Sequence, residues 1–448
     1  MAHLKIAVVG SGISGLSAAW LLSQRHEVTL FEADDRLGGH SHTVDCTGDG
    51  ASIAVDTGFI VYNRPTYPNL TALFDYLNVP TAASDMGFAV SLADGRIEYS
   101  GNGALRMLGS WRNLADPAHW RMLRDIVRFF RTAAGEAQGL DDRTTLGQFI
   151  ADRGYSQDFL DRHLLPSAGA IWSSPPRQML DYPAKAFLTF FENHGLLKFV
   201  DRPQWRTVVG GARQYVRKLV DDSPMRVQTG CAVTSIQRSK DGVTLHVRNA
   251  PDQNFDHAVI ATHADQALAM LDNPAPEERQ CLQAFHYTRN RAVLHRDKSF
   301  MPRNPWLWSS WNYLSNAGAD TASCTITYWM NALQPLSTKT NYFVTLNPHR
   351  EPASTLVERE FVYEHPVFTP ETARMQRQLW SLQGKRNTWF CGAHFGAGFH
   401  EDGLQAGLAV AEQLGGVKRP WQLTNPSTRI HVSPSSPVHV RTLTEAAE

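Results

Sequence analysis

Residues 4–43 read LKIAVVGSGISGLSAAWLLSQRHEVTLFEADDRLGGHSHT. Leu4 to Val9 is an apolar run of the kind buried in a parallel sheet. Gly10, Gly12 and Gly15 follow as G-x-G-x-x-G, Leu16 to Gln24 reads as a helix, and Val28 to Phe31 reads as a second strand ending in Glu32. The parts share one chemistry. Gly10 permits a tight turn out of the strand, Gly12 lets a pyrophosphate approach the backbone, and Gly15 lets the helix pack on the sheet. The helix N-terminus offers free N–H groups and a positive dipole to phosphate. Glu32, roughly 20 residues on, can accept the hydroxyls of an adenosine ribose and disfavours a 2′-phosphate. Ile13 and Ser14, which open the helix, and Ala33, beside the acid, join these as nucleotide-binding candidates.

The next residues decide which dinucleotide. Arg36-Leu37-Gly38-Gly39 follows the second strand directly, then His40-Ser41-His42-Thr43, and Asp56-Thr57-Gly58 comes after Ala54-Val55. This arrangement resembles the glutathione-reductase-like FAD proteins and, within them, the flavin-containing amine oxidase superfamily. That group includes monoamine oxidases, protoporphyrinogen oxidase and phytoene desaturases. Its pattern here is Arg-x-Gly-Gly-Arg-x-x-Thr/Ser. Arg36, Gly38, Gly39 and Thr43 match, and His40 stands in place of the second arginine. The resemblance implies an α/β protein: a Rossmann-like FAD-binding domain of the glutathione-reductase type with an inserted α+β substrate domain. It implies FAD as cofactor, with Arg36, Gly38, Gly39, His40, Thr57 and Gly58 along the phosphates and the flavin side.

Three later segments carry the same resemblance. Thr207 to Leu219 (TVVGGARQYVRKL) is similar to the family's Gly-Gly turn and following helix. Val227 to Val247 reads strand, turn, strand, and relatives place a valine at Val233 against the adenine through its backbone. His257 to Thr262 matches the strand that returns to the cofactor. Thr388 to His394 is a strand ending at Gly392, and residues 398–407 turn into a final helix, including Leu404, that the family sets against the flavin. The implied FAD domain is discontinuous, about 1–85, 205–275 and 376–420. Residues 86–204 and 276–375 form the substrate domain, and 421–448 (rich in Pro, Ser and Thr) reads as an extended or disordered tail.

The catalytic groups are less legible. The family usually places an acid after the glycine of the last strand, where this chain has Ala393 and His394. Monoamine oxidases place a Tyr before the final helix as one wall of an aromatic cage, and Phe399 stands there. A phenyl ring packs against flavin and apolar substrate but offers no hydroxyl. The resemblance therefore carries the cofactor site and not the amine chemistry. His394, His400 and Phe399 are the candidates at the reacting end, with Glu401, His40 and His42 nearby and no catalytic base identified. Lys185 and Lys198 are weaker candidates for the flavin-facing lysine of amine oxidases. No H-E-x-x-H, paired Cys/His spacing or G-x-S-x-G occurs, which argues against metal and acyl-transfer chemistry.

The remaining features bound the biology. The chain has 448 residues, 42% hydrophobic and 19% charged, with Lys+Arg and Asp+Glu at 43 each. That is globular composition with no whole-chain charge for nucleic acid. Cys46, Cys231, Cys281, Cys324 and Cys391 are scattered, which suits a reducing cytosol, and Cys391 reads as a buried apolar thiol. No signal peptide, membrane span or internal repeat is read. In the first insertion, Thr144 to Arg153 and Gln157 to Leu164 read as short helices and Ser173-Ser174-Pro175-Pro176 as a break. In the second, Trp306, Trp308, Trp311, Tyr328 and Trp329 read as strand residues that form either an aromatic floor under the flavin or ordinary sheet core. Trp120, Leu123, Ile126, Val127 and Phe130 recur at helical spacing, with Arg121, Arg124, Arg128 and Arg131 on another face. This is either a helix packed on the core with solvated arginines or a basic face for peripheral contact with an anionic membrane.

Two function classes result. One is an FAD-dependent oxidoreductase of oxidase or desaturase type that takes hydride from a hydrophobic substrate, with an unidentified electron acceptor. The other is a flavin-dependent isomerase without net redox change, with amine oxidation kept as an alternative and a non-enzymatic FAD scaffold as a distant third. The chain also resembles a bacterial group of NAD/FAD-binding proteins that often accompany fatty-acid-modifying enzymes, which makes a fatty acyl chain the leading substrate. NAD as the tightly held nucleotide is disfavoured, because the second glycine pair and the final helix serve a flavin. The expected compartment is cytoplasmic, with the inner membrane face as a peripheral site.

Overall fold

A computed structural model describes residues 3–141, 143–172, 175–198, 201–316 and 325–433. Five parallel strands form the central sheet: β1 (Lys5–Val9), β2 (Glu27–Phe31), β3 (Arg226–Gln228), β4 (His257–Ile260) and β5 (Thr388–Phe390), in the order β3-β2-β1-β4-β5. Ala7, on the central strand, pairs with Thr29 on one side and Ala258 on the other. The strands are apolar along their length because both faces are covered. The helix α1 (Ile13–Ser23) has every residue buried and no polar face, as a helix enclosed by its own protein should. Gly10 takes φ +99° to leave β1, and a Cβ at Gly15 would strike the Gly10 carbonyl. The first and third glycines of the motif are therefore packing residues.

A second, seven-stranded sheet lies beyond it. Its order is Val357–Val367, His286–His295, Phe343–Leu346, Thr325–Trp329, Trp311–Leu314, Phe88–Leu92 and Ile97–Ser100. All neighbours are antiparallel except Trp311–Leu314 with Phe88–Leu92. Helices α2 (Pro117–Ala137) and α3 (Ala184–Asn193) share one apolar core with this sheet, and the central sheet has its own. The last helix, α4 (His400–Gly415), returns to pack on α1 in the first core.

Three sequence expectations change. Helical structure from Gln157 does not stop at Leu164: Gln157–Phe159 leads into a π turn, Leu160–Leu164, and on into Leu165–Trp172. Trp306 lies in a 3-10 turn, Pro305–Leu307, and Trp308 caps it, so neither is in a strand. Residues 421–433, from the stretch read as an extended or disordered tail, are packed on the protein. Trp421 stacks on Trp20 at 6.0 Å, and the Arg429 guanidinium donates to Asp402 at 2.6 Å. Cys324, Ser173, Ser174 and residues 434–448 lie outside the described residues. Among those described, Cys46, Cys231, Cys281 and Cys391 are free thiols, and no helix is long and apolar enough to cross a membrane.

Candidate active site

A single cavity of about 1810 Å³ runs from the glycine motif into the second core. One small ligand fills roughly 300–1,000 Å³, so this space can hold a dinucleotide and a substrate together. At its nucleotide end lie Gly10, Gly12, Ile13 and Ser14. A Cβ added to Gly12 would meet nothing within 4 Å, so this glycine faces open space. The α1 N-terminus has no side-chain cap, which leaves its first N–H groups for an anion. Glu32, Ala33 and Arg36 continue the wall. The Glu32 carboxylate accepts from Ser11 N at 2.9 Å, Ser11 Oγ at 2.5 Å and Asp34 N at 2.9 Å. Arg36 donates to the Gly39 carbonyl at 2.8 Å. Val233 lies on the same wall together with Cys231, Thr234 and Arg248, which the sequence reading did not single out. The Cys231 N–H donates to the Glu32 carbonyl at 2.8 Å and so ties that group to the acid.

Gly38, Gly39, His40 and Gly58 form the next part of the wall, and Gly392, His394, Phe399 and His400 join them from the chain's last quarter. The His400 ring stacks on Phe59 at 3.8 Å, and its Nε2 bonds Tyr215 Oη at 2.7 Å and Ser41 Oγ at 3.1 Å. That imidazole is anchored in the chain, which makes it a positioning group for the start of α4. The His394 ring packs 5.2 Å from Phe285, and His40 lies 5.2 Å from Tyr363 and 5.3 Å from His365. The Nε2 atoms of His40 and His394 are buried without a partner among the described residues. Burial pushes His394 and His400 down to about 3 and His365 to about 4, and holds His40 well below the usual imidazole range. All four are neutral at neutral pH.

Tyr363 and His365 also line the cavity, and the sequence reading did not single them out. Phe361, Tyr363 and His365 alternate with Glu360, Val362 and Glu364 along Val357–Val367. That period of two places all three on one face, a signal available in the sequence. Other expected residues lie behind the wall. Gly15 is packed against Gly10, Leu404 is fully buried in α4, and Thr57 donates to the His42 carbonyl at 3.2 Å and pairs with Tyr363 Oη at 2.7 Å. Neither Lys185 nor Lys198 reaches the cavity, and no lysine lines it among the described residues.

Beyond Phe399 the wall turns apolar. Phe399 stacks on Phe190 at 4.6 Å and meets the edge of Trp172 at 6.2 Å. From α2, Leu123, Ile126, Val127 and Phe130 face this space, so the apolar stripe of the amphipathic stretch lines the cavity. Its arginines are largely engaged: Arg121 with Asp158 at 2.7 Å, Arg124 with Asp125 at 3.0 Å, and Arg128 with the Arg153 carbonyl. The sheet contributes Trp311 and Tyr328 to the wall. Trp308 and Trp329 instead pack on each other at 5.5 Å, and Trp306 is exposed. Three carboxylates line the whole cavity. Glu32 and Asp34 belong to its nucleotide end, and Glu364 sits 3.5 Å from His263 and 3.7 Å from Arg289.

An open glycine at an uncapped helix N-terminus, an acid after β2 and a wall with two unmet ring nitrogens fit FAD. Residues 13–305 match the family described as flavin containing amine oxidoreductase, and the chain belongs to that family of FAD-dependent oxidoreductases. It is 28% identical over 342 residues to AofH of Mycobacterium tuberculosis, named as a flavin-containing monoamine oxidase, covering 72% of this chain and 70% of that protein. Among solved structures, a CLA-producing fatty acid isomerase from P. acnes aligns with TM-score 0.65 and 17% identity over 91% of this chain and 97% of its own. Cyclohexylamine oxidase from Brevibacterium oxydans aligns with TM-score 0.67 and 16% identity over 92% and 100%. At these identities the two structures support the fold and leave the substrate open.

Proposed function

We propose that the protein oxidises a long, hydrophobic substrate, with a fatty acyl chain the leading class. One observation carries this reading: the space continuous with the flavin end is lined largely by Phe, Leu, Ile and Trp side chains, its charged groups are Arg202, Arg289 and Glu364, and it holds neither a lysine nor an unpaired carboxylate among the described residues. An alkyl chain gains about 0.8 kcal/mol for each buried CH₂, whereas a small ammonium ion would find the wall's carboxylate, Glu364, already facing Arg289. FAD, when bound, supplies a hydride acceptor at N5. Gly12, the α1 N-terminus and Glu32 would hold it by phosphate and ribose. Phe399 and Phe190 offer flat apolar faces that orient a chain, and the α2 stripe excludes water from it. His394, depressed to about 3, is a weak base. The protein's contribution is therefore positioning and desolvation rather than strong proton abstraction.

Peripheral membrane contact is a subsidiary part of the proposal. Val127 lines the cavity and is 37% exposed, so the cavity reaches the surface at α2. Leu105 and Trp111, just upstream, are 72% and 74% exposed. Arg106 and Arg112 accompany them, each within 5.6 Å of an indole. Exposed indole and leucine beside arginine is the composition of an interfacial face. Vesicles of anionic lipid should co-sediment the protein at low salt and release it at high salt. Absence of low-salt binding removes this part without touching the substrate reading.

The substrate proposal is tested by mixing the FAD-loaded protein anaerobically with an 18-carbon unsaturated fatty acid or with a small primary amine. Bleaching of the flavin band by the fatty acid supports it, and rapid bleaching by the amine alone overturns it. Adding an electron acceptor then separates oxidation, which consumes the acceptor, from isomerisation, which does not.

A further inference from the structure

Arg202 is a cation on the chamber wall without a counter-charge among the described residues. Four arginines line the cavity. Arg36 is tied to Gly39 at the nucleotide end, Arg248 lies beside Val233, and Arg289 faces Glu364. Arg202 is set apart from Arg36 and Arg248 by its place, on the apolar chamber rather than the nucleotide end, and from Arg289 by having no facing carboxylate among the described residues. Its Nε donates to the Lys198 carbonyl at 2.7 Å, which fixes the plane of the guanidinium. Its two terminal nitrogens have no hydrogen-bond acceptor and no ion-pair partner among the described residues. The same wall carries Phe130, Phe191, Leu196 and Trp205.

The surroundings make this cation receptive. Partial desolvation lowers the Arg202 pKa although the residue stays exposed, and no carboxylate opposes the shift. Its charge also helps to depress the His163 imidazole, which lies 6.3 Å from the Phe130 ring. His163 itself is committed elsewhere. Tyr99 gives its hydroxyl hydrogen to the Arg162 carbonyl at 2.6 Å, so the 3.0 Å contact from Tyr99 Oη requires His163 Nδ1 to be the donor. Ser167 likewise spends its hydroxyl on the His163 carbonyl at 2.7 Å. Arg202 is thus a hydrogen-bond donor on this wall whose terminal nitrogens have no acceptor among the described residues, and its two NH₂ groups present the fork that matches a carboxylate.

We propose that Arg202 receives the carboxylate of a long-chain monocarboxylic acid whose alkyl tail lies along the apolar chamber. The inference rests on the hydrophobic-substrate reading and adds to it a head group and a direction of entry. Arg202 remains accessible from solvent, so a substrate entering tail first would leave its carboxylate at this residue. A methyl ester has the same tail and no charge, and an alkylamine has the opposite charge.

The test uses FAD-loaded protein and isothermal titration with an 18-carbon monounsaturated acid, its methyl ester and the amine of the same chain, all below their aggregation limits. Wild type should bind the acid at least tenfold more tightly than the ester or the amine. Arg202→Gln should bring the acid to within about twofold of the ester while ester affinity stays unchanged, which also shows that the chamber is intact. Arg202→Lys should keep part of the preference. If acid and ester bind wild type equally well, or Arg202→Gln keeps the preference, the head-group assignment is wrong and the apolar chamber stands. If none of the 18-carbon compounds binds, both the assignment and the substrate reading fall.

Discussion

Glu32 shows how one side chain serves two tasks. Its position after β2 makes it the proposed ribose ligand, and its carboxylate also fastens the glycine turn through Ser11 N and Oγ. Glu32→Ala removes charge-assisted hydrogen bonds worth on the order of 1.5–3 kcal/mol. FAD affinity should fall about ten- to a hundredfold, read by fluorescence titration of the apoprotein. Ser11→Ala, which keeps the acid, should lose clearly less. Equal losses in the two variants would mean that Glu32 acts only through the turn. This residue was legible because strand, glycines, helix and acid lie within one short stretch. Arg202 was not, because its meaning depends on which carboxylates are absent around it, and those belong to segments far apart in the chain.

At the level of elements, the final helix is held from both ends of the sequence. Glu401 accepts from Asn69 N and Nδ2 at 3.0 and 2.8 Å and from Leu70 N at 3.0 Å, while Asp402 takes the Arg429 guanidinium at 2.6 Å. Arg429 also lies over the rings of Tyr67 and Phe399, at 5.6 and 5.9 Å. The segment that reads as an extended or disordered tail in the sequence thus braces Phe399 and the start of α4. Asp402 is fully buried and the Arg429 side chain 17% exposed, so Arg429→Ala leaves an unpaired buried carboxylate. A loss of about 3–5 kcal/mol follows, measurable by urea unfolding of the apoprotein. A loss under 1 kcal/mol would show the brace to be incidental. The helix over residues 157–172 was hidden for a related reason. Pro166 lacks an N–H and ends a helical pattern on paper, whereas the π turn Leu160–Leu164 absorbs it.

At the scale of the whole molecule, stability should depend on pH through buried histidines. Burial lowers His42, His163, His295 and His365 to about 4 and His194, His394 and His400 to about 3. Their unfolded value is about 6.5, so below that pH the unfolded chain binds protons that the folded chain refuses. Each such histidine removes about 1.4 kcal/mol per pH unit. Asp56, pushed up to about 7 by burial, and Glu401 and Asp402, raised for the same reason, act in the opposite sense above about pH 4. Seven histidines outweigh three acids. The unfolding midpoint of the apoprotein should therefore drop steeply from pH 6.5 to 5, and a flat profile would contradict the burial of these rings.

The division of the fold was legible at this scale too, in a limited sense. The nucleotide-binding half announces itself through local glycine spacing. The seven-stranded sheet does not, because its strands come from residues 88–100, 286–346 and 357–367 and no local pattern says that they meet. Only their assembly places Phe399, the α2 stripe and Trp311 around one space. We propose that this space, continuous with the nucleotide end of the cavity, takes an alkyl chain. This proposal is tested most directly by the affinity of FAD-loaded protein for a series of straight-chain monocarboxylates of increasing length. The account predicts that affinity rises by up to about fourfold for each added CH₂, as 0.8 kcal/mol per buried group requires, until the chamber is filled. An affinity that stays flat with chain length, or that peaks at the shortest member, would contradict it.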